Sequence, residues 1–203
     1  MNKEVGIICW CNSGKKFKDC HFGHQEKQPI PFSEEQKSRK RIWNKTYCLH
    51  PNRSECNGGI IEAHTVQRAM LKKISSDSHV YTPAFTKTPN NLEFYMKRVG
   101  IRDASVFTGF CAFHDNKTFA KIEDEEFTGT VEQCFFYAYR AICKELFLKL
   151  AHKEDTEFNM NAIVRETFEE QKATQDFLEK YLEEIEAGIV EIRNLKQKMD
   201  NIL

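Results

Sequence analysis

The positions of cysteine and histidine constrain this chain more than any other feature. Cys9, Cys11 and Cys20 fall within a dozen residues and His21 follows directly; Cys48 and Cys56 form a second pair, and Cys111 and His114 a third. Two of the eight cysteines, Cys134 and Cys143, lie instead in an apolar helical run, where free cysteine behaves as a small buried hydrophobe. No apolar stretch approaches the roughly 20 residues needed to span a bilayer, and the apolar run near the N-terminus is too short for the core of a signal peptide. The expected location is therefore cytoplasmic, where thiols stay reduced and clustered cysteines argue for metal ligation over disulfides.

Thiolate and imidazole converge on a tetrahedral zinc ion only if the backbone between them turns tightly, and Gly14 supplies such a turn in the first group. Cys48, Cys56, Cys111 and His114 make a second set of four, two ligand pairs separated by a long insert. Two structural Zn²⁺ ions are expected, each closed by four protein ligands with no open position for catalysis. His24 is an alternative to His21, and His50, two residues after Cys48, an alternative to His114.

The 203 residues suffice for one ordinary domain with an appendage, or for two small domains and a helical tail. A net charge of zero conceals an asymmetry: residues 1–75 carry 14 basic and 7 acidic groups, residues 123–203 carry 10 and 19. A basic front meets phosphates of nucleic acid whatever their sequence; a solvated surface, or contact with the acidic tail, accounts for it equally.

Four segments follow from the local pattern. Residues 1–26 hold the first Cys/His group. Residues 27–45 comprise a Pro-containing linker and a short basic helix, with Ser33 as N-cap and Glu34 and Glu35 in its first turn. Residues 46–128 are rich in Pro, Asn and Gly with short β-prone pieces at 79–82 and 105–108, and need a staple. Residues 129–203 are helical: one helix opens at Thr130, and a second, longer one runs from Glu154-Asp155 to the C-terminus. In the second, Leu178, Leu182, Ile185, Ile189, Ile192, Met199 and Leu203 recur in steps of three and four, broken only by Lys196. This heptad seam predicts a coiled coil and a homo-oligomer, since no helix of matching length within the chain is evident as its partner.

The stretch Cys9-Trp10-Cys11-Asn12-Ser13-Gly14-Lys15-Lys16-Phe17-Lys18-Asp19-Cys20-His21 closely resembles the SEC-C motif, with Trp10 in place of the usual Pro and Asn12 in place of the first Gly. The resemblance implies Cys9, Cys11, Cys20 and His21 as zinc ligands of a small docking or nucleic-acid-associated module. Lys15, Lys16 and Lys18 beside Trp10 and Phe17 combine cations with aromatic faces, a mixture suited to phosphates and bases.

The second group resembles the zinc-stapled ββα unit of HNH-type nucleases. Glu62-Ala63-His64 matches the element at the end of the first strand, and Cys111-Ala112-Phe113-His114-Asp115 the opening of the final helix; Asp115 stands where the family has its last His. The resemblance implies His64 as the general base that activates water against a phosphodiester. Asp115, with Glu62 or Asn116, would hold Mg²⁺ or Mn²⁺. From the residues alone, the favoured reading is His64 as a supporting or core histidine and Asp115 as a helix N-terminal acid favoured by the macrodipole.

The resulting expectation is an α+β protein: an N-terminal SEC-C zinc knuckle, an HNH-like treble-clef zinc module, and a C-terminal helical pair ending in a coiled coil. Its expected function is nucleic acid binding, DNA or RNA, with metal-dependent endonuclease activity. The alternative is a non-catalytic zinc adaptor that docks partners and dimerises through its coiled coil.

Overall fold

The computed structural model describes residues 7–9, 11, 13–21, 23, 30–87, 92–123 and 125–203. Trp10, Asn12, His24 and the Gln28-Pro29 part of the linker lie outside this set. The protein is mixed α and β, and it divides into two compact units: Met1–Lys45 with Leu146–Asn194, and Thr46–Glu145 with Leu195–Leu203. Among the described residues no helix is long and apolar enough to cross a membrane.

In the first unit, helix α1 spans Phe32–Trp43. It begins one residue before the expected cap: Pro31 occupies the N-cap, and its carbonyl takes the amides of Glu34 and Glu35. A preset φ makes proline suitable for opening a helix, so Ser33 is not needed for that role. Arg39 of α1 grips Asp155, with both carboxylate oxygens 2.7 Å from Nη1, and reaches Asn159 through Nη2 at 2.6 Å. Trp43 meets the edge of His152 at 4.9 Å.

Asp155 and Asn159 belong to α4 (Val131–Ala162), which is longer than the sequence pattern indicated. Glu154 and Asp155 lie inside it, because their carboxylates are neutralised by Lys45 and Arg39 and so do not act as a stop. The helix ends at Ala162, and α5 (Phe168–Asp200) starts after a short connection. Thr167 forms a capping box there: its hydroxyl accepts from the Glu170 amide at 3.2 Å, and the Glu170 carboxylate accepts from the Thr167 amide at 3.4 Å.

The two helices run antiparallel, and within the first unit the contacts that show this are Gln171 to the Ile163 carbonyl, Gln175 to the Met160 carbonyl, and Lys153 paired with Glu186. Leu178, Ile185 and Ile189 of the heptad seam are buried. A partner helix of matching length thus exists within the chain, contrary to the sequence expectation that none did. It was overlooked because α4 was divided at Glu154.

In the second unit, β1 (Ile60–His64) pairs antiparallel with β4 (Val106–Cys111), and α3 (Ala112–Glu123) follows β4 without a break. Between these strands lie α2 (Arg68–Ile74) and a long antiparallel ribbon of β2 (His79–Lys87) and β3 (Leu92–Gly100). Pro83 is tolerated in β2 because a two-stranded ribbon consists only of edges.

Phe110, Phe119, Ile122, Tyr139 and Cys143 form the buried centre, with Phe110 edge-on to Phe119 at 5.1 Å. Leu71, Val80 and Ala104 make a smaller core at the root of the ribbon. α4 opens as its sequence suggested: the Thr130 hydroxyl accepts from the Gln133 amide at 3.2 Å. Lys196, the break in the seam, is buried but satisfied, since both Asp200 oxygens lie 2.8 Å from its Nζ and Tyr139 donates to the same carboxylate at 2.7 Å. Of the two helical cysteines, Cys143 is buried as expected, whereas Cys134 is exposed.

Candidate metal centres

The first centre is assembled by local backbone geometry. Ile8 bridges antiparallel to Lys16, Cys9 donates to the Lys15 carbonyl at 2.8 Å, and Phe17 to that of Ile7 at 2.8 Å. The reversal between these strands passes through Gly14 at φ 71°, a conformation that disfavours any side chain. A 3-10 turn at Phe17–Asp19 then brings Cys20 and His21 back, both amides donating to the Phe17 carbonyl. Cys9 and Phe17 are buried together, and Phe168 packs edge-on against Phe17 at 4.9 Å.

The ligand atoms of Cys9, Cys11, Cys20 and His21 all lie within 4.8 Å of one another. His21 Nδ1 is 3.3 Å from Cys9 Sγ and 3.1 Å from Cys20 Sγ, and Cys11 Sγ is 3.4 Å from Cys20 Sγ. A tetrahedron with zinc–sulfur bonds of about 2.3 Å and zinc–nitrogen bonds of about 2.0 Å has edges of roughly 3.5–3.8 Å, so these spacings fit a single ion. Hydrogen bonding alone explains them poorly, because one imidazole nitrogen cannot serve two sulfurs. Burial and the neighbouring thiols push Cys9 up to about 12, so the group needs a cation to ionise together.

Residues 8–23 match the family model of the SEC-C motif. The N-terminal segment is a SEC-C motif. The match covers only that stretch, and no curated protein and no solved structure matches the chain.

The second centre gathers its Cys and His side chains from distant parts of the second unit. Tyr47 and Leu49 donate to the carbonyls of Thr108 and Gly109, which lays the Cys48 segment along β4. A 3-10 turn at Arg53–Glu55 delivers Cys56, and Gly58 and Gly59 follow at φ 79° and 71°. Gly58 is doubly required, since a Cβ there would sit 3.0 Å from that of Ala112. Cys111 ends β4 and His114 stands in the first turn of α3, its amide 3.5 Å from Cys111 Sγ.

Cys48, Cys56, Cys111 and His114 again lie with all ligand atoms within 4.8 Å. His114 Nδ1 is 3.5, 3.6 and 3.2 Å from the sulfurs of Cys48, Cys56 and Cys111, three edges of the same tetrahedron. Burial holds His114 below the ordinary histidine value and therefore neutral, the form that ligates. His50 is not a member of the group; its ring stacks on that of His114.

The residues expected to be catalytic are less uniformly placed. His64 ends β1, half-buried, and its Nε2–H donates to the Ile101 carbonyl at 3.1 Å. A carbonyl only accepts, so Nε2 carries a proton, and the tautomer consistent with this contact leaves the lone pair on Nδ1. Asp115, 8% exposed, lies against Arg140 at 3.3 Å. Burial raises its pKa, an effect opposed by the Arg140 charge and reinforced by Glu123.

Glu62 and Asn116 are exposed. Among the described residues these side chains form no third group of three or more metal ligands. Sequence reasoning missed Arg140: fully buried, it pairs with Asp115 and Glu123 and lies over the Phe119 ring at 4.0 Å. Its position one helical turn from Phe136 in an apolar run was the available sign, because an arginine there must be paired.

Proposed function

We propose that this is a zinc-stapled nucleic-acid-binding protein whose second unit is a treble-clef module of HNH type, with His64 as the general base of phosphodiester hydrolysis. The observation that carries the reading is the state of His64. It stands at the end of the first strand of a ββα unit stapled by Cys48, Cys56, Cys111 and His114, its ring fixed by Ile101 so that Nδ1 is free to take a proton from water. A ring anchored at one nitrogen supports the reading of the other as the proton acceptor.

The divalent ion of the HNH resemblance is a different matter. Asp115 is already engaged by Arg140, and Glu62 and Asn116 stand exposed, so their placement lends no support to a Mg²⁺ or Mn²⁺ site. No step is routed through one. In this reading the two zinc sites hold the scaffold, His64 supplies the proton acceptor, and the basic front, including the lysines of the SEC-C motif, meets phosphate.

Purified full-length protein, loaded with zinc, is incubated with DNA and with RNA, with and without added Mg²⁺ or Mn²⁺, beside His64→Ala. Cleavage lost in the variant supports the reading, and equal background from both rejects the enzyme. The engagement of Asp115 by Arg140 favours a second reading, a non-catalytic adaptor that docks partners, for which the same assay returns no cleavage while zinc content and folding are normal.

A further inference from the structure

The β2–β3 ribbon springs from between the two strands that carry the candidate site, and its two faces differ. Val80 and Val99, opposite one another in the register, pack with Leu71 and Ala104 and anchor the root. Alternation then puts Tyr81 and Arg98, also a register pair, on the other face, with Met96 and Phe94 following Arg98 at two-residue steps. That face is open: Tyr81 is 65% exposed, Phe94 61% and Met96 51%. Large apolar groups in a contiguous row on a projecting ribbon mark an interaction surface.

Charge indicates the partner. Arg98 stands on this open face across from Tyr81, while Lys97 and Glu93 alternate onto the other face. The contact of Arg98 with Asp77 is long, 3.7 Å, between well-exposed groups, and is readily exchanged for phosphate. Exposed aromatic rings beside an arginine on a solvent-facing strand suit a strand of nucleic acid, whose bases stack while a phosphate meets the cation. The root of the ribbon also reaches the candidate site, because Ile101, the residue after β3, supplies the carbonyl that holds His64.

We propose that the Tyr81, Phe94, Met96 and Arg98 face of the ribbon binds unpaired bases of a nucleic acid strand and delivers that strand towards His64. This rests on the proposed nucleic acid function and assigns it a surface.

The test measures binding of zinc-loaded full-length protein to a fluorescein-labelled oligothymidine, and to a labelled duplex, across a salt series. The variants are Tyr81→Ala with Phe94→Ala, Tyr81→Leu with Phe94→Leu, Arg98→Ala, and Thr82→Ala on the opposite face as a control. All alter exposed or half-exposed side chains, and zinc content and melting temperature establish that each is folded.

The expected result is single-strand binding weakened on the order of 10- to 100-fold in both double variants with the salt slope unchanged. Arg98→Ala reduces the salt slope by about one, and Thr82→Ala changes nothing. Four results overturn the proposal: full binding by the alanine pair, full binding by the leucine pair, equal preference for duplex, or loss in the alanine pair of a self-association that the parent protein shows. If the parent protein binds and the ribbon variants bind equally, the ribbon alone is rejected; if the parent protein does not bind, the proposed function falls with it.

Discussion

The imidazole of His50 lies flat on that of His114, ring centroids 3.8 Å apart and planes within 12° of parallel. His50 thus acts as a lid over a ligand and contributes no bond to the ion. His114→Ala is expected to lower zinc from two equivalents to one and to unfold the second unit. His50→Ala is expected to keep two equivalents but to release one of them more rapidly. Metal analysis together with zinc release to a chromogenic chelator distinguishes the two.

Acid should empty and unfold the second centre. His50 and His114 are both held by burial below the ordinary value of 6.5. In the window between the folded and unfolded values the unfolded chain binds more protons, so stability is complete above about 6.5 and is lost as pH falls below it. Protonation of ligating thiolates acts in the same direction. Urea unfolding at a series of pH values should show the midpoint falling through this range, and less steeply for His50→Ala.

Removal of both ions by a strong chelator should abolish cooperative unfolding, since structural zinc in small modules contributes on the order of 10 kcal/mol to folding. Limited proteolysis before and after chelation checks this, with the apo-protein cut within residues 7–21 and 46–60 while the holo-protein resists.

Arg140→Met should destabilise the protein by about 3–5 kcal/mol, because it leaves the buried Asp115 carboxylate without its counter-charge. Asp115 accounts for most of that loss, as the Glu123 partner is 39% exposed and well screened. Arg140→Met combined with Asp115→Leu should recover much of the difference in chemical denaturation.

Alkylation should separate the two cysteines outside the metal centres. Burial pushes Cys143 up to about 12, and it is fully enclosed, whereas Cys134 is exposed. Iodoacetamide at mildly alkaline pH is expected to modify Cys134 in the folded zinc protein and Cys143 only after denaturation, as read by mass spectrometry of peptides.

Metal ligands were legible in the sequence because their chemistry fixes both residue type and spacing: Cys9, Cys11, Cys20 and His21 stand together, and so do Cys48, Cys56, Cys111 and His114. Elements whose logic depends on partners far along the chain were not. Asp155 inside a helix reads as a break until Arg39 is known to neutralise it, and Lys196 reads as a flaw in a seam until Asp200 and Tyr139 close around it. The capping box at Thr167 and Glu170 was visible locally and would have placed the helix boundary correctly.

Thr65 and Ser105, at the two ends of the segment that holds the ribbon, are fastened to one another. Thr65 donates to the Ser105 carbonyl through both amide and hydroxyl, and the Ser105 hydroxyl bonds the Val66 backbone in turn. A short turn in place of the segment beyond that clasp is expected to leave β1 paired with β4, while releasing His64 from the Ile101 carbonyl. On the proposed function, what the ribbon meets can then diverge without unmaking the scaffold.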